Sequence, residues 1–524
     1  MFEKGQANLL KAADFPAPVA GIDASSSIYS MAPDVCIYSY NLIHNEYGVT
    51  ARPGFYEQST GIPEEVKSMH TYVDGEGVIQ VFAVTSIGIY DVSAGGTIGA
   101  PVVTWSNQSS TAGFATSVNY ETIAGHYLCL CDERNGYWTY DGTTWHDVTS
   151  LEMGNAVDPD VLCFVMVSKE RLWFVERNTG RGWYLDPGVI LGTPTSFDFG
   201  NRMSHGGELR CLYNWTVDSG VGIDDIIVAV GGEGDIIIYR GYDPTDAANF
   251  NSIGSWYVGA VPAGRQIGAD FAGELILLSV KGLISINDLL RGASPINESV
   301  YKTSDIQALI RPQLDLTWTD WGWSIGIHPK YNYMFVNSPR DASSHYLQFV
   351  MALSTESWGM FRDVPMHGYT VAGDKLYFGD TEGNSLIMDG YTDYVDSTGA
   401  SDQGVEWSIL SSFQNFSNPG SNKMLSMARP TFTGAGVPSY QLQARYDFDF
   451  ADIGGSSTPV TVTGATWDAG VWDTDVWSGG LRVTDDFRGV TGIGRYVAYA
   501  LKGTSNFSMT FTGITLLWQS GGFL

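Results

Sequence analysis

The chain is short of charge, and of bases above all. Of its 524 residues 16% are charged, against about 25% in an average soluble domain. Lys and Arg number 28 against 57 Asp and Glu, a net charge of −29. That excludes a protein built to grip nucleic-acid phosphates, which needs a basic surface. Cysteine is scarce and odd in number: Cys36, Cys129, Cys131, Cys163 and Cys211. Five thiols make no disulfide framework and predict folding in a reducing cytosol. Cys129 and Cys131 alternate within HYLCLCD, so they share one face of one strand and pack rather than bridge. CxxC and HExxH are absent, which leaves zinc without support; GxSxG and a Walker lysine are absent too. Nowhere do roughly 18 uncharged apolar residues run together, so no membrane-spanning helix is expected. The opening MFEKGQANLLKAADF carries acids and no long apolar core, and no secretory signal is expected from it.

What is abundant points one way. Gly accounts for 62 residues, about 12% against about 7% on average, and aromatics reach 13%. Many glycines and aromatics with few charges predict an all-β protein with many tight turns. At roughly 150 residues per domain, the length suits two or three domains, or one repeat body with an accessory domain. The acid is uneven. Residues 400–524 hold 10 acids and 7 bases, and the other residues hold 47 and 21. Two regions of different charge predict two structural parts, although solubility alone also explains an acidic surface.

From about residue 67 to 395 one pattern recurs: an apolar strand, a Gly- or Asn-containing turn, then a second apolar strand ending at Asp. QVFAVTSIGIYDVS ends at Asp91, HYLCLCDERNGYWTYDGTTW at Asp141 and RLWFVERNTGRGWYLDP at Asp186. DIIVAVGGEGDIIIYRGYDP ends at Asp243, ELILLSVKGLISINDLL at Asp288 and KLYFGDTEGNSLIMDG at Asp389. A degenerate copy, HYLQFVMALSTESW, puts Ser354 in the Asp position. The mean step is about 50 residues, and units of ~40–50 residues, each worth a small antiparallel sheet, predict a β-propeller. Six or seven blades fit, and a linear stack of β units stays open. One helix is expected at Ser304–Ile310, stopped by Pro312. Residues 396–524 read as strands of a β-sandwich or half-barrel, from EWSILSSFQNF and SYQLQARYDFDF to PVTVTGATW and RYVAYALKGTSNFSMTFTGITLLW. The expected division is 1–66 as an extended N-terminal part of a platform, 67–395 as the propeller, and 396–524 as the β-rich platform domain.

No constellation points to catalysis. YDGTTW lacks the spacing residue of a sialidase Asp-box, and its adjacent Asp141-Gly142 is a hairpin signal. GGEGDI leads into another strand, not a helix, so it is a turn and no phosphate loop. The eight histidines show no ligand spacing. ATWDAGVWDTDVWSGG sets Trp467, Trp472 and Trp477 five residues apart with Asp468, Asp473 and Asp475 between them. Core or subunit packing is the plain role of these tryptophans; sugar stacking and a calcium ion are the alternatives. No catalytic residue, metal or cofactor is expected.

Three stretches together resemble the tail nozzle (tail tubular protein B-like) proteins of short-tailed bacteriophages. They are the opening FPAPVAGIDASSSIYSMAPDVCIYSYNLIHNEYGVTARPGF, with Met31-Ala32-Pro33, Asn41 and Arg52-Pro53-Gly54; the hairpin series with YDGTTW; and the close RYVAYALKGTSNFSMTFTGITLLWQSGGFL. The resemblance implies a homo-hexameric ring below the portal and adaptor protein, with the genome leaving through its channel without sequence-specific binding. It implies a propeller hung outward as an insertion, and a platform built jointly by the N-terminal segment and the C-terminal domain. Tail fibre or needle proteins would be neighbours, and the location would be the virion tail, assembled in the host cytoplasm. Arg52 joins Trp467, Trp472 and Trp477 as candidates for subunit-interface or packing roles. Two other classes stay open: a tail propeller that binds or cleaves host surface polysaccharide, and a receptor-binding or scaffold propeller with no channel.

Overall fold

A computed structural model describes residues 10–521 except 219–222, 247, 272, 341–345, 395–402, 437 and 455–481. The repeat pattern becomes seven small antiparallel sheets arranged as blades. Blade 1 has inner strand Ser68–Val73, then Ile79–Val84, Gly88–Asp91 and Val103–Thr104. Blades 2, 3 and 4 are four-stranded meanders whose inner strands are Ala115–Thr122, Leu162–Ser168 and Leu209–Asp218. Blade 5 has three strands, starting at Gly268–Phe271, and blade 6 starts at Ser324–His328. Blade 7 takes Tyr369–Ala372, Lys375–Gly379 and Ser385–Gly390, and its outer strand is Gly54–Thr60 from the other end of the chain.

The ring closes, which removes the linear stack. Every pair of neighbouring blades is joined by a hydrogen bond near the inner strands. His70 meets Ser117 at 2.8 Å (blades 1 and 2), and Val165 N donates to Thr116 Oγ1 at 3.2 Å (2 and 3). Ser168 Oγ meets Asn214 Oδ1 at 2.9 Å, and Tyr213 OH donates to Arg265 O at 3.3 Å (3 to 5). Ile325 N donates to Gln266 O at 2.8 Å, Tyr369 OH donates to Ile325 O, and Thr370 Oγ1 meets Thr71 Oγ1 at 2.8 Å (5 back to 1). Closure with one outer strand from the N-terminal side leaves few bare edges. The fold is thus an all-β propeller of seven blades joined to a β-sandwich.

The recurrent Asp has a physical job. Each of the seven marks lies at or just after the end of a blade's third strand. There Asp91 accepts from Ser93 N at 2.9 Å, Asp141 from Thr143 N and Thr144 N at 2.8 and 2.7 Å, and Asp243 from Thr245 N at 3.0 Å. The carboxylate mimics a backbone turn and reverses the chain toward the fourth strand. In blade 5 the chain instead enters a short helix, Ile286–Leu290, capped by Ser285. The five cysteines are free and buried, with Cys129 and Cys131 on the strand Gly125–Asp132.

Two expectations are corrected. Gly54–Thr60, placed with the platform part in residues 1–66, belongs to the propeller, because it pairs with Ser385–Gly390. Pro312 does not stop a helix. A turn at Ser304–Ile306 leads into Gln307–Thr317 with Pro312 inside it. Pro312 and Ala308 both face solvent, so the carbonyl that loses its helical partner can be hydrated.

The platform is a two-sheet sandwich built from both chain ends. The first sheet joins Lys11–Pro16, Leu42–Asn45 and Gly48–Ala51 to Met509–Ser520 and Lys423–Gly434, with short strands along the last. The second joins Cys36–Tyr40, Gln403–Ser411, Val497–Ser505 and Ser439–Tyr446. Alternation sends Trp407, Ile409, Phe432, Tyr499, Phe511 and Trp518 into the core between them. PVTVTGATW, read as a strand, lies outside the described residues. Among the described residues, no helix is long and apolar enough to cross a membrane.

Candidate functional site

The chain crosses between sandwich and propeller twice, outward at Arg52–Gly54 and back at Gly390–Asp393. Arg52 clamps the two crossings together. Its Nη1 and Nη2 donate to Asp393 Oδ1 and Oδ2 at 2.8 and 2.6 Å, and its Nε donates to Asn41 Oδ1 at 3.0 Å. Such fork-on-fork geometry fixes direction as well as energy. Asn41 sits at φ 59°, a left-handed conformation that Asn tolerates better than most side chains. There its Oδ1 also accepts from Arg362 N at 2.9 Å while its Nδ2 donates to Glu406 O at 2.8 Å. Arg52 is 2% exposed, so its charge serves this chain's own interior. Beside the clamp lies a cleft of about 470 Å³, lined by Tyr47, Tyr331, Tyr391 and Phe507 with Asn45 and Lys330. Tyr47 and Tyr391 are 70% and 54% exposed.

The second place where side chains converge is the mouth of the propeller axis. Arg265, just before the inner strand of blade 5, reaches over blades 4 and 3 to Glu133 in blade 2. Its Nε donates to Glu133 Oε2 at 2.9 Å and its Nη2 to Oε1 at 3.1 Å, while its Nη1 donates to Arg210 O at 2.5 Å. Both partners of this pair are buried. The guanidiniums of Arg265 and Arg210 lie 5.7 and 5.9 Å from the Trp321 ring, and Phe114 sits 5.4 Å from Trp321. Lys67 lies over Phe114, and His367 Nε2 meets Glu65 Oε1 at 3.0 Å. Burial acts to raise Glu65, but the hydrogen bond and charge of His367, with Lys67 and Arg340, hold it below the usual carboxylate range. What stays open is a small hollow of about 30 Å³. His367 Nδ1 and Ser324 Oγ line it, and neither has a hydrogen-bond partner among the described residues. The mouth of the axis is plugged by this chain's own side chains.

Burial, not function, explains the unusual thiols: it pushes Cys129, Cys163 and Cys211 up to about 12, which makes them poor nucleophiles. Among the described residues no three His, Cys, Asp or Glu side chains converge as metal ligands would. Trp467, Trp472 and Trp477 lie outside the described residues. Arg52 is brought together with Asp393 and Asn41. Sequence reasoning missed Arg265, Glu133, Trp321 and Asp393. The one available signal was the rarity of bases: in a chain with 28 of them, an Arg next to glycine before a strand is worth notice.

No family model matches this chain, and no curated protein matches it. Solved structures resemble it distantly. The extracellular domain of a hybrid two-component system of B. thetaiotaomicron aligns at TM-score 0.42 and 11% identity, over 90% of this chain and 64% of that one. YCF48 bound to D1 peptide aligns at TM-score 0.38 and 9% identity, over 66% and 98%. The computationally designed Ika8 protein aligns at TM-score 0.35 and 10% identity, over 70% and 100%. None of these three is described as a tail protein, and the fold assignment stands on the sheets themselves.

Proposed function

We propose that this chain is a structural subunit of the tail nozzle of a short-tailed bacteriophage. Six copies form a ring docked on the adaptor protein, and the DNA is retained in and ejected through the passage they enclose. The observation that carries this reading is the partition of the chain: both ends share one sandwich, and the propeller is an excursion clamped at Arg52 and Asp393. That is the division the sequence resemblance implies. The plugged mouth supports it from another side. With Arg265, Glu133, Trp321 and Phe114 across the axis, a polymer cannot thread a single propeller, so the passage lies between copies. At −29 per chain, acids on the passage wall repel phosphates and let pressurised DNA slide without sticking. The chain acts as a wall, without catalysis or cofactor, in the virion tail.

Averaged electron images and light scattering test it on the purified chain or the particle. A six-fold ring with a hole, at a mass six times 57.0 kDa, is expected. A strict monomer, or a ring of another symmetry, overturns the proposal. A second reading, a propeller that binds or cleaves host surface polysaccharide, draws on the cleft with exposed Tyr47 and Tyr391, since ring faces beside amides suit sugars. Binding or cleavage of capsule or lipopolysaccharide by the purified chain would favour it.

A further inference from the structure

The cleft beside the Arg52 clamp takes its walls from separate parts of the chain. The sandwich supplies Tyr47, at the tip of the hairpin between Leu42–Asn45 and Gly48–Ala51. It also supplies Phe507, in the turn between Val497–Ser505 and Met509–Ser520. Blade 6 supplies Tyr331 from the turn between Ser324–His328 and Tyr333–Asn337. Tyr391 comes from the returning crossing, immediately after Ser385–Gly390.

These rings are positioned by the fold itself. Asn45 and Gly48 face each other across the hairpin, so Tyr47 sits on a tight turn. Ser505 Oγ donates to Phe507 O at 2.7 Å and fixes the turn that carries this ring. Tyr331 OH donates to Asp389 Oδ1 at 3.0 Å, and its ring stands edge-on to His328 at 4.9 Å. Tyr47 and Tyr391 nevertheless stand mostly in water. Aromatic faces left exposed inside a concavity mark a binding site.

Neutral polar groups lie among the rings. Asn332, Ser354 and Ser508 line the cleft, and their side chains have no hydrogen-bond partner among the described residues. Asn45 donates its Nδ2 to Thr50 Oγ1 at 3.0 Å and keeps its Oδ1 as an acceptor. The bases here are already committed. Lys330 pairs with Asp389 and Arg52 with Asp393, so neither is free to take an anion. Among the described residues that line the cleft, Glu46 is the one carboxylate, and no base pairs with it.

We propose that this cleft binds a neutral oligosaccharide and does not cleave it. Aromatic faces take the C–H side of a sugar ring, while amides and hydroxyls exchange hydrogen bonds with its hydroxyl groups. The volume of about 470 Å³ lies within the ~300–1,000 Å³ of small-molecule sites and suits a short run of sugar units. An unpaired Glu46 without a free base disfavours uronic, sialic and phosphorylated sugars. Glycoside hydrolysis takes a pair of carboxyl groups flanking the bond, and this lining lacks the second. The inference rests on the second reading above for its ligand class, narrows that reading to binding, and is independent of the ring.

Titration calorimetry of the full chain tests it with maltohexaose, cellohexaose and N-acetylchitohexaose as neutral probes, and with oligogalacturonate and oligosialate as acidic ones. A reducing-end assay runs alongside. At least one neutral probe is expected to bind, the acidic ones at least about 10-fold more weakly, with no new reducing ends. Tyr47→Ala and Tyr391→Ala are each expected to weaken binding by about 10-fold or more, and Tyr47→Phe, which keeps the ring, by less than about threefold. Both tyrosines are exposed, so the variants should melt with the wild type, which separates lost binding from lost folding. A neutral sugar bound equally by the alanine variants overturns the cleft as its site and leaves the second reading standing. Preference for an acidic sugar, or release of reducing ends, overturns the inference while keeping that reading. Silence toward every neutral probe overturns the inference, and silence toward all the probes rejects the second reading with it; the nozzle is decided separately by imaging.

Discussion

Replacing Arg265 by Met tests whether the plug at the propeller mouth holds the ring together. The substitution leaves Glu133 charged, with its side chain 5% exposed, and removes donors from two carboxylate oxygens and from the Arg210 carbonyl. Arg210 is no ready substitute, since its own guanidinium is committed to Glu208 at 3.0 Å. Breaking a buried pair from one side costs about 3–5 kcal/mol, because a charge is stranded in low dielectric. The propeller runs from Gly54 to Gly390. At about 2.1 cal/mol/K per residue, its unfolding entropy is ~0.7 kcal/mol/K, so the melting temperature should fall by ~4–7 °C. Removing both charges, Arg265→Met with Glu133→Leu, should recover most of that loss, as apolar replacement of a buried pair is often neutral or stabilising. Scanning calorimetry of the wild type, the two singles and the double reads the coupling directly. A single variant that melts within about 1 °C of wild type, or a double as unstable as the single, refutes the reasoning.

Two further predictions concern burial and close approach. His44 and His70 are buried, and burial lowers them from the ordinary 6.5 to about 4 and about 3. The unfolded chain therefore takes up their protons first: stability is whole above about pH 6.5 and falls as pH drops toward those values, by ~2 kcal/mol per histidine at pH 5. Urea midpoints should decline between pH 7 and pH 5, and less so in a His70→Gln variant; equal slopes would count against neutral burial. At Gly54, an added Cβ would lie 2.2 Å from the Thr392 carbonyl oxygen, where the outgoing and returning crossings touch. Gly54→Ala should cost about 1–3 kcal/mol and speed proteolysis at the seventh blade, and a melting point unchanged from wild type would rule out the contact.

The propeller was legible because its units are local. Strands two and three of each blade are consecutive in sequence, and the turn that follows is set by one side chain, as Asp141 does for Thr143 and Thr144. Even the copy with Ser354 in place of Asp fell at the end of Leu347–Ala352, where the third strand of blade 6 ends. The blade count was harder, because closure depends on Gly54–Thr60, an outer strand more than three hundred residues from its partner Ser385–Gly390. Nothing in GFYEQST says which of two bodies it will join. Alternation specifies a strand and its buried face, and pairing partners are a matter of the whole topology.

The same reasoning explains why the clamp and the plug went unread while the charge division did not. Arg52 with Asp393 and Arg265 with Glu133 join residues 341 and 132 positions apart, and no local spacing encodes such pairs. The charge difference between the two parts of the chain is a sum over many residues and survives ignorance of the topology. The structure then gives that sum a place. The less acidic residues build the sandwich and the more acidic ones the propeller. A ring held by its propellers would need the acidic bodies in contact, against their own repulsion and with their axial side chains already spent on plugging themselves.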